Sequence, residues 1–214
     1  RLAPDRASQA QCVPMQSTPP VPADEELMLS FAAGSAAAFD LLYARHEKPL
    51  YRFIVRCIGN SAGDGVAEEL LQETWFAVMR HAPGYQPHAR FTTWLYTIAR
   101  HRVIDQVRRT AAAGGISASL DDEDGEGAAL AETLAADERD EPLARLQTRA
   151  QAQAFLVALD ALPAEQREAF LLQAEAGLSL EEIAAATSVG VETVKSRLRY
   201  ARAKLRQQLR AWVE

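Results

Sequence analysis

The segment from 179 to 210 constrains the fold of this chain more than any other part of the sequence. Apolar residues at helical spacing indicate a short first helix: Leu180, Ile183 and Ala184. Ser188-Val189-Gly190 then interrupts the pattern. A longer apolar series follows at steps of three and four residues, the spacing of one helix face: Val191, Val194, Leu198, Ala201, Leu205 and Leu209. The segment therefore predicts two packed helices joined by a tight turn.

The outward face of the second predicted helix is basic. Its cations recur three or four residues apart: Lys195, Arg199, Arg202, Arg206 and Arg210. No acidic residue lies between the first and the last of them. A short helix, a turn and a long helix with one apolar and one basic face are typical of a DNA-reading helix-turn-helix. Helices that bind membranes or proteins can carry such a face, but the aromatic residues here come late, at Tyr200 and Trp212.

A second stretch, Phe91 to Arg109, interleaves aromatic and cationic residues. Its predicted core stripe is Phe91, Leu95, Ile98, Ala99, Val103 and Val107, and another face carries Trp94, Thr97, His101 and Arg108. With Arg90 included, five arginines against Asp105 leave a local charge of +4. Rings that stack on bases and cations that hold phosphates suit strand-separated DNA. Spacing alone is equally compatible with Trp94 and Tyr96 as core aromatics.

Earlier segments also have helical spacing. Asp24 begins a first helix, a second covers 35–58, and Pro49 is expected to kink the second helix or restart it. In a third helix, 66–81, the residues predicted to face inward are Leu70, Leu71, Thr74, Trp75, Val78 and Met79. Its outer face is acidic and polar, with Glu68, Glu69, Gln72 and Glu73. Such a face is either ordinary solvated surface or a binding surface.

The composition changes after residue 110. Between Asp121 and Glu141, ten acidic residues face one arginine, which predicts a flexible acidic linker. This local charge of −9 accounts for the formal net charge of −6, which is unusual for a nucleic-acid binder. Helical patterns resume over 142–161 and from Pro163 to Gly177, and Ser179 with Glu182 forms a predicted capping box. No strand pattern or internal repeat stands out.

We therefore predict an all-α protein of two small helical domains joined by the acidic linker. Residues 1–23 form a predicted disordered tail, with 1–14 excluded from the fold because Met15 lies within the tail. The predicted domains are 24–112 and 142–214, with the linker at 113–141.

Several classes of function lack sequence support. Cys12 and Cys57 suggest no disulfide or zinc framework, and no run of about 18 apolar residues predicts a membrane span. The N-terminus lacks the apolar core of a signal peptide. No P-loop, His-Glu-x-x-His or Gly-x-Ser-x-Gly motif is present, and the four histidines lack i,i+4 pairing. We expect no catalysis, no cofactor, no metal and a cytoplasmic location.

Three motifs together resemble bacterial sigma factors of the sigma-70 family. They are AEELLQETWFAVMRH, FTTWLYTIARHRVIDQVRR and ALPAEQREAFLLQAEAGLSLEEIAAATSVGVETVKSRLRYARAKL. The size and two-domain plan are similar to the extracytoplasmic-function group, over about 24–110 and 142–210. The order and separation of the motifs make the resemblance specific, whereas TVKSRL alone is shared with many response regulators.

The resemblance implies that 24–112 is region 2 and 142–214 is region 4. It implies that Glu69, Gln72 and Glu73 contact the β′ clamp helices of core RNA polymerase and that region 4 contacts the β flap. The implied −10 residues are Tyr85, Arg90, Trp94, Thr97, His101 and Arg108, with Tyr85 in a base-capturing loop over 82–90. The implied −35 residues are Lys195, Ser196, Arg199 and Tyr200, with Arg197 and Arg202 for phosphates.

The resemblance further implies promoter DNA and an anti-sigma factor as partners, without direct membrane insertion. Two departures stand out: Thr187-Ser188 replaces the usual apolar residue and glycine in the turn, and His101 replaces an asparagine found in several members. A DNA-binding regulator that acts without polymerase and a helical adaptor that binds only proteins remain as alternatives. The first leaves the segment 91–109 without a role, and the second leaves the basic face at 195–210 unexplained.

Overall fold

The computed structural model describes residues 21–59, 64–112 and 142–210. The predicted tail, apart from 21–23, and the predicted acidic linker lie outside these ranges. The described helices are α1 (Asp24–Ala32), α2 (Ala36–Ile58), α3 (Asp64–His81), α4 (Phe91–Ala112), α5 (Pro142–Asp160), α6 (Ala164–Ala174), α7 (Leu180–Thr187) and α8 (Val191–Gln208), with a 3-10 turn at Ala82–Gly84. Within the described ranges there is no strand, in agreement with the predicted all-α class, and no helix there is both long and apolar enough to cross a bilayer.

The first domain packs α1 to α4 around aromatic and aliphatic side chains. Trp75 of α3 lies edge-on to Phe39, with ring centroids 5.6 Å apart, and 5.1 Å from the ring of Tyr43. Phe53 of α2 meets Tyr96 of α4 with centroids 5.1 Å apart. Edge-to-face pairs of this kind add to the stabilisation from buried area. Tyr96 is therefore a core residue, which is one of the two possibilities that its spacing in the sequence allowed.

Of the two outcomes expected at Pro49, the restart does not occur, because α2 runs unbroken from Ala36 to Ile58. Two predictions about individual residues in this domain were wrong. Met79 is 36% exposed because it lies at the boundary of the buried face of α3. Val107 is 49% exposed because burial along α4 ends at Val103.

The second domain contains the predicted helix-turn-helix, α7 and α8. The Ser179 hydroxyl accepts a hydrogen bond from the Glu182 backbone N–H at 3.2 Å, and the Glu182 carboxylate accepts one from the Ser179 N–H at 2.8 Å. This reciprocal pair is the predicted capping box. The turn after α7 places Ser188 in the left-handed region, with φ 55°, at a cost of about 1–2 kcal/mol for an L-residue.

The burial pattern of α8 agrees with its sequence pattern. Val194, Leu198, Ala201 and Leu205 are buried against the domain core. The five cations of the opposite face, from Lys195 to Arg210, are all exposed. The apolar stripe thus fixes the rotation of the helix and leaves its basic face outward.

We predict that Ser179→Ala lowers the free energy of unfolding by about 1 kcal/mol, since it removes a side-chain cap. Ser35→Ala is the matched control, because Ser35 occupies the N-cap of α2 without a side-chain cap hydrogen bond. Chemical denaturation of the two variants checks the difference. Equal losses in both would show that the Ser179 hydroxyl contributes nothing specific.

Candidate nucleic-acid and polymerase interfaces

The 3-10 turn, the loop after it and one face of α4 form an open groove of about 660 Å³. Four of the six residues predicted to contact the −10 element line it: Tyr85, Trp94, Thr97 and His101. The remaining lining residues are His81, Gly84, Gln86, His88, Ala89 and Ile98. No carboxylate is found among these residues, and the described part of the chain holds no cluster suited to a metal ion. With Tyr85 and Trp94 in its lining, the groove suits a flat, largely apolar ring.

Two aromatic rings, those of Tyr85 and Trp94, line the groove, and the buried ring of Phe91 packs behind them. The Tyr85 ring lies 5.1 Å from that of Trp94, and the Phe91 ring lies 6.0 Å from Trp94. Tyr85 is only 9% exposed, so it supports the wall more than it projects into solvent. Burial, followed by the charges of Glu25 and Asp24, raises the pKa of the Tyr85 phenol to about 12. The phenol is therefore neutral at physiological pH.

Two acidic residues of α1 hold this arrangement in place, and the sequence analysis assigned neither of them a partner. The Glu25 carboxylate accepts a hydrogen bond from the Phe91 N–H at 2.7 Å and so caps the start of α4. Asp24 contacts Arg45 and His46 of α2, each at 2.7 Å. In the sequence these acids indicate only the start of α1. Their partners lie far along the chain, so no local pattern reveals them.

The other two predicted −10 residues lie outside the groove. Arg90 reaches toward the second domain, where its guanidinium lies 3.8 Å from the Glu182 carboxylate and donates to the Gly177 carbonyl at 3.4 Å. Arg108 is exposed near the end of α4 and is not among the lining residues. Arg90 is thus engaged by the second domain, and Arg108 faces solvent farther along the helix.

The six predicted −35 residues differ in how freely their side chains are presented. Arg199 and Tyr200 are exposed and contact each other, with the guanidinium carbon 4.9 Å from the ring centroid. Lys195 is exposed and pairs with Glu192 at 2.7 Å, and this hydrogen bond raises the pKa of its ammonium group. The most available basic and aromatic groups therefore lie in the middle of α8.

The remaining −35 residues are held more closely by their own domain. Arg197 is 17% exposed and bonds Glu165 at 2.7 Å. Arg202 is exposed and donates to the side chain of Gln173, and Ser196 is half-buried. Both arginines are thus paired with acceptors on α6, Glu165 and Gln173.

The predicted polymerase-binding face of α3 contains an apolar residue that the sequence analysis did not single out. Glu69 and Gln72 are exposed, and Glu73 is partly exposed and lies 3.9 Å from Arg102. Phe76 is 59% exposed and follows Gln72 by four residues, so it lies on the same face. The four-residue spacing from Gln72 to Phe76 was the sequence signal that could have placed Phe76 on this face. The predicted polymerase-binding face therefore combines an exposed aromatic ring with acidic and polar groups.

Both domains of the chain match family models of known proteins. The sigma-70 region 2 family model matches residues 42–113, and the sigma-70 region 4 model matches residues 152–205. The chain is 32% identical over 182 residues to RNA polymerase sigma factor CarQ of Myxococcus xanthus, covering 85% of this chain and 95% of the relative. It is 36% identical over 184 residues to ECF RNA polymerase sigma factor SigE of Mycolicibacterium smegmatis, covering 83% and 65%, respectively.

A solved structure has a similar fold. It is the co-crystal structure of the sigma factor RpoE in complex with the anti-sigma factor NepR from Bartonella quintana. The match has a TM-score of 0.59 and 26% sequence identity, and it covers 80% of this chain and 96% of that chain. With both regions matched in order and a relative matched over nearly its full length, this chain belongs to the extracytoplasmic-function group of the sigma-70 family, whose members direct promoter-specific initiation of transcription.

Proposed function

We propose that this sigma factor docks on core polymerase through α3, holds an unstacked −10 base in the groove beside α4, and reads the −35 duplex with α8. The observation that carries the proposal is the groove, where four predicted −10 residues meet beside an aromatic wall. As part of the transcription machinery, the chain acts in the cytoplasm. It supplies binding energy to the reaction and performs no chemistry of its own.

The groove supports capture of a base from a separated strand. Flipping a base out of the duplex costs a few kcal/mol, and stacking on an aromatic ring returns about 1–3 kcal/mol for each base. Trp94 provides the ring, while Thr97 and His101 provide polar groups along the same face. Binding of the strand can therefore drive local melting without nucleotide hydrolysis by this chain.

Helix α8 supports reading of duplex DNA in the major groove. Its exposed middle section presents Lys195, Arg199 and Tyr200 on one side. An arginine that makes a good bidentate contact with guanine discriminates by about 1–3 kcal/mol. Arg197 and Arg202 lie nearby and are suited to phosphate contacts once they leave Glu165 and Gln173.

Helix α3 supports docking on core polymerase. Its outer face combines Glu69, Gln72 and Glu73 with the exposed ring of Phe76, which suits a partner with basic and apolar groups. We propose the β′ clamp helices as that partner and the β flap as the partner of region 4. With both domains held at once, each DNA contact is strengthened by effective concentration. The net charge of −6 opposes binding of free protein to DNA.

We further propose control by an anti-sigma factor. The similar structure of RpoE was solved with its anti-sigma factor NepR. A protein that covers the face of α3 or the basic face of α8 would block polymerase or DNA. The same surfaces would then serve activation and inhibition.

Run-off transcription with core polymerase and a genomic promoter library tests the proposed function. We expect initiation from a subset of promoters only when this chain is added. Tight, specific DNA binding by the free chain at physiological salt, without initiation, would instead support a regulator that acts alone. Absence of both activities would favour the protein-binding adaptor.

We predict that Arg199→Ala reduces transcription from promoters with a −35 element by about 5- to 150-fold, the equivalent of one lost base contact. Binding to core polymerase should not change. Arg206→Ala is the control, because Arg206 is also exposed on α8 but lies two turns farther along. Run-off assays and core-binding titrations measure the two effects, and equal loss of both activities in Arg199→Ala would contradict the assignment.

We predict that Trp94→Ala slows open-complex formation by about 5- to 150-fold, because one stacking surface for an unpaired base is lost. Val107→Ala, an exposed position on the same helix, should leave the rate unchanged. Permanganate footprinting of unpaired thymines measures the opening. Normal opening in a folded Trp94→Ala protein would exclude the groove as the base site.

A further inference from the structure

Helix α4 begins without a capping side chain of its own. Arg90 occupies the position just before the helix, and a guanidinium group can donate hydrogen bonds but cannot accept them. The first turn of the helix, from Phe91 to Trp94, contains no acidic residue. Because the first backbone N–H groups of a helix have no partner within it, they need an acceptor from another source. The local sequence around the start of α4 does not supply that acceptor.

Glu25 of α1 supplies it from a distant part of the chain. Its carboxylate accepts a hydrogen bond from the Phe91 N–H at 2.7 Å, although the two residues are 66 positions apart. A negative charge at the start of a helix also interacts favourably with the helix dipole. Glu25 is half-buried, so this contact is less open to water than a pair on the surface.

Asp24 holds α1 in place for this contact. Its carboxylate contacts Arg45 and His46 of α2, each at 2.7 Å, and Arg45 also donates to the Pro22 carbonyl at 2.8 Å. The His46 ring in turn lies 5.4 Å from the ring of Phe91. The start of α1, the middle of α2 and the start of α4 are therefore linked to one another, each to the other two.

The turn that Glu25 caps contains Trp94, whose ring lines the groove. The Trp94 backbone N–H bonds to the Arg90 carbonyl at 3.2 Å, so its position depends on an intact first turn. Helix ends fray before helix centres do. Fraying of this turn changes the backbone at Trp94 and moves its ring away from Tyr85, 5.1 Å away in the structure. Glu25 thus controls a groove residue without lining the groove itself.

Helix α1 packs against both elements that form the groove, the 3-10 turn and α4. Leu27 and Met28 are its buried residues. The charges of Glu25 and Asp24 also contribute to the raised pKa of Tyr85, which follows the 3-10 turn. The residues predicted to bind polymerase and the −35 element lie on other helices, α3 and α8. A defect at the start of α1 should therefore affect the groove selectively.

We propose that Glu25 is a positioning residue for capture of the −10 base: it caps α4 and so keeps the Trp94 ring in place, while Asp24 anchors it to α2. This inference rests on the proposed function, since the position of Trp94 matters to promoters only if the groove holds a base. Glu25 acts through Trp94 and makes no contact with the base.

The test measures binding of holoenzyme to forked promoter fragments with an unpaired −10 strand. An abasic site is moved along that strand to find the base whose removal weakens wild-type binding most. On the intact fork, we expect Glu25→Ala to weaken binding by about 2- to 30-fold, the factor that corresponds to loss of one helix cap. On the fork without that base, Glu25→Ala and the wild type should bind alike, because no base remains to be stacked. Equal weakening on both forks would indicate a merely structural role and would overturn the proposal.

Three further variants complete the test. Glu25→Gln keeps an acceptor oxygen at the same reach and should recover most of the binding; no recovery in a folded variant would contradict the capping role. Asp40→Ala is the matched control, because Asp40 is an exposed carboxylate on α2 of the same domain. If Glu25→Ala does not fold, Asp24→Ala provides a second disruption by releasing α1 from Arg45 and His46. Binding of the folded disruption to the intact fork as tight as that of Asp40→Ala would overturn the proposal.

Two measurements separate failure of this inference from failure of the proposed function. Affinity for core polymerase should be the same for Glu25→Ala and the wild type, and loss of that affinity would overturn the positioning role. If no abasic site in the −10 strand weakens wild-type binding, the groove captures no base. The proposed function then fails, whatever the Glu25 variants show.

Discussion

Burial of the apolar stripe of α4 is the constraint on which the rest of the structure depends. Phe91, Leu95 and Ala99 are fully buried, and this fixes the rotation of the helix. Successive residues turn by about 100°, so the positions between them must point elsewhere. Trp94 then lines the groove, while Thr93 meets the second domain. One helix thereby joins the core, the candidate base site and the contact with the second domain.

The distribution of charge explains how an acidic chain can serve DNA recognition. The basic groups are concentrated on α4 and α8, whereas the net charge of −6 is set largely by the segment outside the described ranges. Within the fold, several arginines are already paired with carboxylates, such as Arg90 with Glu182 and Arg197 with Glu165. These ion pairs and the acidic net charge are the basis for the proposal that core polymerase supplies the binding energy that the free protein lacks.

Sequence patterns predicted burial most reliably along the middle of an apolar helix stripe and least reliably at the margins of that stripe. The stripe of α8 and the capping box at Ser179 follow local spacing, so both could be predicted. Met79 and Val107 continue an apolar spacing but are exposed, because the extent of burial depends on where neighbouring helices end. Phe76 differs from these two residues because it lies outside the predicted apolar stripe, on the outer face of α3 beside Gln72, where it is exposed.

The sequence by itself determined the helical class, the order of the motifs and the two basic surfaces, because helical periodicity and local charge are properties of neighbouring residues. Tertiary structure decided which side chains meet. It joined Tyr85 to Trp94 in one groove and placed Glu25 at the start of α4. It also inserted Glu175 between Arg52 and Arg56, more than a hundred residues away. Such partners depend on how helices pack, and packing brings together residues whose separation along the chain carries no local pattern.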